Sequence, residues 1–446
     1  MQTAMWRDRL AQWWAGAWRW VLMAAGAVVA VTVLLGQQSA MGLVTASAIA
    51  GLVIAAALTP RVPLAVALMA TPALFIPVRA GLGGADLSVS DVALAAAFGT
   101  AILLGHRPYS RPLRQILWLN LVYQFATLFT VIVNPYAANT VEWFHAWLLV
   151  SGAIIVGWAL GRAGYARPAL ILMIGAACMI AVGTIVTGLI QFSRGDLGPV
   201  YPSWPVEMHK NFAGTVMAFA AVVAYANPQW LSLTRGWARA AFWLLCVGIV
   251  LTQSRQAALG LIVAVVVLAL RRGAGGNRHS RLVLLLLAPA VWLIAVMVLD
   301  QVSSDNQFNS ANTRLEWLRA MFAYWKEAPV FGHGLRYWYQ GGWADFQPPQ
   351  AEVEVAVSAG VVGLIGFIVM WLGILVILWR VDPVYGTLAF AVLLSRLVQS
   401  QFDLFWVAGQ VSIPFVIAGI CLGAQASAAE RRESFTADLA APVARR

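Results

Sequence analysis

Apolar residues in this chain do not alternate as in half-buried strands, nor do they form the narrow stripe of a surface helix. They run on for turn after turn, and polar residues are confined to the intervals between runs. Runs long enough, or nearly so, to cross about 30 Å of hydrocarbon fall at 20–36, 40–58, 62–78, 89–105, 115–134, 143–161, 168–190, 212–226, 237–252, 256–270, 282–299, 355–379, 384–399 and 404–424. The runs at 62–78, 212–226 and 256–270 are short and suit tilted or re-entrant segments. This pattern predicts an all-α, polytopic membrane protein with about 14 transmembrane helices in one domain, 19–425.

Before that domain, residues 1–18 place Trp6, Trp13, Trp14 and Trp18 near arginines. That mixture predicts an interfacial amphipathic helix, retained because no small-residue cleavage site follows. Beyond it, the polar, alanine-rich tail 426–446 is expected to be disordered and cytoplasmic. The one sizeable soluble stretch is a loop at 301–354. Within it, NTRLEWLRAMFAYWKEAP predicts a helix capped by Asn312, with an apolar stripe of Leu315, Leu318, Phe322 and Trp325 and an exit at Pro329.

Composition sharpens this picture: 61% of the chain is hydrophobic and 11% charged, too few charges to clothe a water-soluble body of 446 residues. The net charge of +11 could suggest nucleic acid, but its distribution argues for a membrane. With the N-terminus inside, 20 of the 29 basic residues fall in cytoplasmic intervals and 13 of the 18 acidic residues fall outside. That asymmetry predicts both termini in the cytoplasm, the 301–354 loop outside, and anionic lipid rather than nucleic acid as the partner of the basic residues. Cys178, Cys246 and Cys421 lie in apolar runs without metal-ligand spacing, and no outer carboxylate pair suits a divalent ion, so neither metal nor other cofactor is expected.

The candidate chemistry lies in the few outer cations. Arg255, in LTQSRQAALG, and Arg396, in LLSRLVQSQFD, sit where two runs nearly touch, so both guanidinium groups must lie at or below the membrane surface. Arginine at that depth needs an anionic partner, and its planar fork suits a phosphate. Arg255, Arg396 and one of Arg314 or Arg336 could thus bind a diphosphate; Asp403 is the alternative, internal partner for Arg396. MHKNFAG adds His209, Lys210 and Asn211 at the mouth of a run, as polar ligands or simply as a helix start.

The order of these features resembles the O-antigen ligase and polymerase superfamily. The resemblance spans about 190–425 and rests on the HKN triplet, the Ser254–Arg255 pair, R-x-x-W at Arg314 and Trp317, P-V-F-G-x-G from Pro329 to Gly334, and an outer loop running into a G-V-V-G-L span. It implies a GT-C-type membrane glycosyltransferase that takes a glycan from a polyprenyl-diphosphate-linked oligosaccharide donor, outside the bacterial cytoplasmic membrane, for a glycan or glycolipid acceptor. It also implies arginines on the diphosphate and a catalytic histidine before the G-x-x-G span. Here Pro349 occupies the histidine position and Gln350 the neighbouring asparagine position.

A replacement base must reach the acceptor hydroxyl as it attacks the anomeric carbon. Glu354 and Glu352 come first and His333 second; both glutamates could instead pair with Arg336 and Arg314, and His333 could be structural. Because the glutamates are two apart, a helix points them about 200° apart, so only one can face a shared cavity. A lipid-linked oligosaccharide flippase is the main alternative from another class, followed by a peptidoglycan-type polymerase and a noncatalytic scaffold. A flippase should show two related halves, whereas the outer polar residues here gather in the C-terminal half.

Overall fold

The computed structural model describes residues 62–82, 85–104, 108–271, 311–339, 347 and 350–440. The expected interfacial helix at 1–18 and the runs at 20–36, 40–58 and 282–299 lie outside the described residues. Helices α1 (Val62–Ala73), α2 (Val89–Leu104), α3 (Arg111–Val133), α4 (Ala137–Trp147), α5 (Ala153–Arg162), α6 (Ala166–Ser193), α7 (Lys210–Ala226), α8 (Arg235–Thr252) and α9 (Arg255–Leu270) precede the outer loop. After them come α10 (Ala311–Glu327), α11 (Ala351–Arg380), α12 (Pro383–Gln399) and α13 (Ala408–Ala440). A short antiparallel hairpin, β1 (Arg79–Leu82) with β2 (Ala85–Ser88), leads into α2, and Leu148–Gly152 forms a π-helical turn that joins α4 to α5.

Each apolar run within the described residues coincides with helix. Six spans are long and apolar enough to cross a membrane, counting α4–α5 as one, and five shorter apolar helices accompany them. Trp118 and Ile132 on α3, 66% and 63% exposed, show that the outer faces of the bundle are apolar, as lipid contact requires. At the centre, α5 and α13 run backbone against backbone. A Cβ on Gly157 would fall 2.1 Å from the Val416 carbonyl, and one on Gly419 2.2 Å from that of Ile154. Small residues four apart on both helices permit this approach, which lets dispersion replace a hydrophobic driving force in lipid.

The connections segregate to two ends. At one end Trp230 donates to the Val384 carbonyl at 3.1 Å, Arg271 reaches the Val381 carbonyl at 3.1 Å, and Arg162 pairs with Glu430. At the other, Asn134 meets Gly332, Gln253 meets Leu197, and Gln256 meets Asp403. The alternation expected from the apolar runs therefore brings the 301–354 loop together with the Arg255 and Lys210 turns. One expectation fails: α13 continues unbroken to Ala440, so residues 426–440 are helical rather than disordered. Alanine-rich sequence has high helix propensity, and a helix already nucleated by α13 extends at little cost.

In the outer loop, α10 covers the predicted segment, and Met321 is buried while Leu318 and Phe322 stay exposed. Leu318 and Phe322 of the predicted stripe thus face away from the bundle, where an interfacial helix would meet lipid. The loop continues into the most unusual backbone of the fold. Helix α11 is broken at Gly360, whose φ of 66° and ψ of −170° only glycine adopts readily. The groups freed by the break are taken up by residues 329–334. Val361 N donates to Pro329 O at 2.9 Å and Val362 N to Val330 O at 3.3 Å, while His333 N and Gly334 N donate to Val357 O and Ser358 O at 3.1 and 2.9 Å.

A Cβ on Gly360 would fall 2.2 Å from the Val330 carbonyl. Gly360→Ala should therefore lower stability by about 1–3 kcal/mol for the backbone alone, and further for the clash. Gly175→Ala, where nothing lies within 4 Å, should hold or raise it. Thermal unfolding of the two variants in detergent makes the comparison; equal melting points would remove the strain assigned to the break.

Candidate active site

The break at Gly360 leaves a short first half of α11 whose opening turn carries both glutamates. They point apart, as the helical geometry requires. Glu354 turns inward and is 3% exposed: its Oε1 accepts from Gln347 Nε2 at 2.7 Å and its Oε2 from Phe405 N at 3.2 Å. Glu352 is half-buried and accepts through Oε1 from Gln401 Nε2 at 2.9 Å, while its Oε2 is buried without a partner. Neither glutamate takes Arg336 in the contacts just given. Gln350 stands at the cap position and contributes its backbone carbonyl, which accepts from Glu354 N at 2.9 Å.

The segment 400–407 is what both glutamates touch. Ser400 O accepts from Ala351 N at 2.9 Å, closing the start of α11. Further along it, Asp403 accepts from Gln256 Nε2 at 2.5 Å, which joins the segment to the first turn of α9 next to Arg255. Lys210, first residue of α7, lies close enough to Arg255 for the two charges to act on each other. His209 caps α7 by accepting from Asn211 N through Nδ1 at 3.3 Å and packs edge-on to Tyr201. Burial, with Lys210 adding to it, holds its imidazole below the ordinary histidine range against the pull of Asp403. A neutral ring is what an Nδ1 acceptor requires. Two helix N-termini, a lysine and an arginine thus form a positive mouth beside the carboxylates.

Arg396 does not open onto this mouth. It is fully buried at the end of α12, and Nη1 donates to Gln410 Oε1 at 2.9 Å, Nη2 to Leu404 O at 2.9 Å and to Phe405 O. The partner considered in the sequence, Asp403, is hydrogen-bonded to Gln256 instead. His333 is held in the turn between Gly332 and Gly334: its Nε2 donates to Tyr324 O at 2.8 Å and its ring stacks on Tyr337 at 4.6 Å. Arg314 and Trp317 lie on α10, and their side chains fall outside the described residues.

Arg336 brings in residues not singled out in the sequence. Its Nε lies 3.4 Å from Glu142 Oε2; Glu142 Oε1 meets His145 Nδ1 at 3.2 Å, and His145 Nε2 meets Asp91 Oδ1 at 2.9 Å. The other Asp91 oxygen accepts from the Ser88 hydroxyl and backbone N–H at 2.6 and 2.8 Å. An imidazolium between two carboxylates, with a guanidinium beyond, gives alternating charges that sum to zero and tie α2, α4 and the outer loop together. A signal was present: Glu142 and His145 are ionisable, one helical turn apart, at the edge of an apolar run. Glu142 also acts electrostatically on Glu354, so this chain and the glutamate pair border the same interior. Among the described residues, no group of three histidine, cysteine, aspartate or glutamate side chains could hold a metal ion.

Residues 240–368 match the family model for O-antigen ligase. The matched segment includes Arg255, His333, Arg336 and both glutamates, and it supports membership of the O-antigen ligase and polymerase superfamily. No curated protein matches the chain at a significant level. Residues 240–368 are thus similar to the O-antigen ligase family, in a chain whose described residues include six helices long and apolar enough to cross a membrane.

Removing the central cation of the Asp91–His145–Glu142 chain should be costly, because it leaves two buried carboxylates facing each other. His145→Leu is expected to lose about 3–5 kcal/mol in detergent melts. Asp91→Asn, which keeps either the Ser88 or the His145 hydrogen bonds but not both, should lose less because it leaves no unpaired buried carboxylates facing each other. Equal and small losses in both would show the chain to be exposed to water.

Proposed function

We propose that the protein is a GT-C-type glycosyltransferase in the bacterial cytoplasmic membrane. It moves or polymerises glycan from a polyprenyl-diphosphate-linked donor at the outer face, with both termini in the cytoplasm. The observation that carries this reading is that the 400–407 segment binds both glutamates and the first turn of α9 at once. This contact supports a base beside a phosphate site; Arg255 and both glutamates fall in the segment similar to the O-antigen ligase family, while Lys210 and residues 400–407 lie outside it.

In the reaction, an acceptor hydroxyl attacks the anomeric carbon, its proton passes to a glutamate, and the bond to the carrier diphosphate breaks with its electron pair on the leaving oxygen. Glu354 is the first choice of base and Glu352 the second. His333 ranks below them because its Nε2–H is committed to the Tyr324 carbonyl. Arg255, Lys210, His209 and Asn211, at the N-termini of α9 and α7, receive the diphosphate, where preorganised cations and N–H groups stabilise the developing charge. Arg336, oriented by Glu142, faces the donor from the other side, and Arg314, Trp317 and Gln350 are further candidate donor ligands. This scheme needs no metal.

Several measurements test the reading. The lipid-linked glycan that accumulates in a deletion strain should be a substrate for the purified protein; accumulation of single repeats marks a polymerase and of long chains a ligase. Glu354→Gln should lower transfer roughly 10²-fold, on the scale of general-base catalysis. Arg255→Ala should abolish transfer with folded protein retained, and full activity in both Glu354→Gln and Glu352→Gln would remove the glutamates from the mechanism. For orientation, an impermeant thiol reagent on intact cells should label a cysteine at position 195 and spare one at 236; the reverse would place the site on the wrong side.

A further inference from the structure

We infer that Arg396 is a positioning residue, which holds the 400–407 segment in the shape that presents Phe405 N–H to Glu354 and Gln401 to Glu352. The inference rests on the role given to the glutamates above, but it departs from the expectation that this arginine touches phosphate. Its guanidinium is fully buried; Nη1 donates to Gln410 of α13 and Nη2 to the Leu404 and Phe405 carbonyls, while Nε has no hydrogen-bond partner. The Phe405 ring lies 5.1 Å from its central carbon and adds a cation–π contact.

The peptide that Arg396 clamps through the Leu404 carbonyl is the one whose N–H, that of Phe405, serves the glutamate. The Phe405 carbonyl accepts from Arg396 while the Phe405 N–H donates to Glu354 Oε2 at 3.2 Å. Earlier in the same segment, Gln401 Nε2 donates to Glu352 Oε1 at 2.9 Å, and the backbone carbonyl of Arg396 itself accepts from Ser400 N at 2.9 Å. A segment without helix or strand has no ladder to fix its carbonyls, so something must satisfy them in a bilayer. A planar fork with several donors holds two successive carbonyls and a side-chain amide together, which a lysine point charge cannot do. With those donors used in this way, the phosphate role falls to Arg255 and Lys210.

The test compares Arg396→Lys with the unaltered protein in two assays that do not depend on each other. Hydrogen exchange should speed up across 400–407, Phe405 included, with α6 and α7 unchanged. Unchanged exchange there overturns the inference whether or not any glycan is moved. With the accumulated lipid-linked glycan as substrate, kcat should fall roughly 10²-fold, the usual cost of misplacing a catalytic group by about 1 Å. Affinity for polyprenyl diphosphate lacking a glycan should stay as it was. If Arg396 acts through Glu354, then Arg396→Lys combined with Glu354→Gln should lose no more than Glu354→Gln alone.

Weakened binding of polyprenyl diphosphate with kcat retained, or losses that multiply in the double variant, would show a phosphate contact and overturn the inference. An unaltered protein that neither binds polyprenyl diphosphate nor transfers glycan would sink the proposed function, while the exchange result still decides the role of Arg396. Should Arg396→Lys fail to fold, Gln410→Leu removes one acceptor and leaves both carbonyl clamps, and the same two assays apply with smaller changes expected in the same direction.

Discussion

The break in α11 at Gly360 is the constraint on which the outer end of this protein depends. A helix interrupted at membrane depth exposes N–H and C=O groups that lipid cannot satisfy, so the interruption persists only where other backbone takes its place. Residues 329–334 do so, pairing with carbonyls on one side of the break and amides on the other. The glycines of that segment and Gly360 are needed for the same reason, since a side chain at any of them would enter the facing backbone or, at Gly334, Tyr136. The interlock sets the direction of the first turn of α11 and places the outer loop across its mouth.

Charge is the second organising factor. A buried ion is costly unless it is paired and its remaining hydrogen-bonding groups are satisfied. Two solutions occur here. In the Asp91–His145–Glu142–Arg336 chain, opposite charges alternate so that each is compensated by its neighbour. At Arg396 the two terminal nitrogens are satisfied by carbonyls and a glutamine amide, and Nε is left without a partner. The first joins distant elements into a rigid frame; the second gives an irregular segment a defined shape. Between them sits Glu354, bonded to the Phe405 N–H of the segment that Arg396 holds and within electrostatic reach of both Glu142 and Arg396.

Much of the fold was legible in the chain because lipid is a demanding solvent. Every apolar run within the described residues became a helix, and the alternation of runs sorted the connections to two ends. The glutamates were legible as candidates for a similar reason: carboxylates just before an apolar span are conspicuous, and two positions apart on a helix they had to diverge. Their divergence is what separates inward Glu354 from half-buried Glu352. The tail beyond residue 425 was misjudged because polarity was read as disorder, although alanine-rich sequence attached to an existing helix needs no new nucleus to continue it.

What only the tertiary structure decided is which polar atoms meet. Arg255 and Arg396 look alike in sequence, each at the outer end of an apolar run. One begins a helix beside another helix N-terminus, and the other ends a helix beneath an irregular segment that needs donors. Glu142 and Asp91 are far apart in the chain, and His145 joins them only because α2 and α4 bring their outer ends together. Composition and periodicity determine which residues leave water, because that depends on each stretch of sequence by itself. The pairing of buried charges depends on distances between stretches, and those are set by packing.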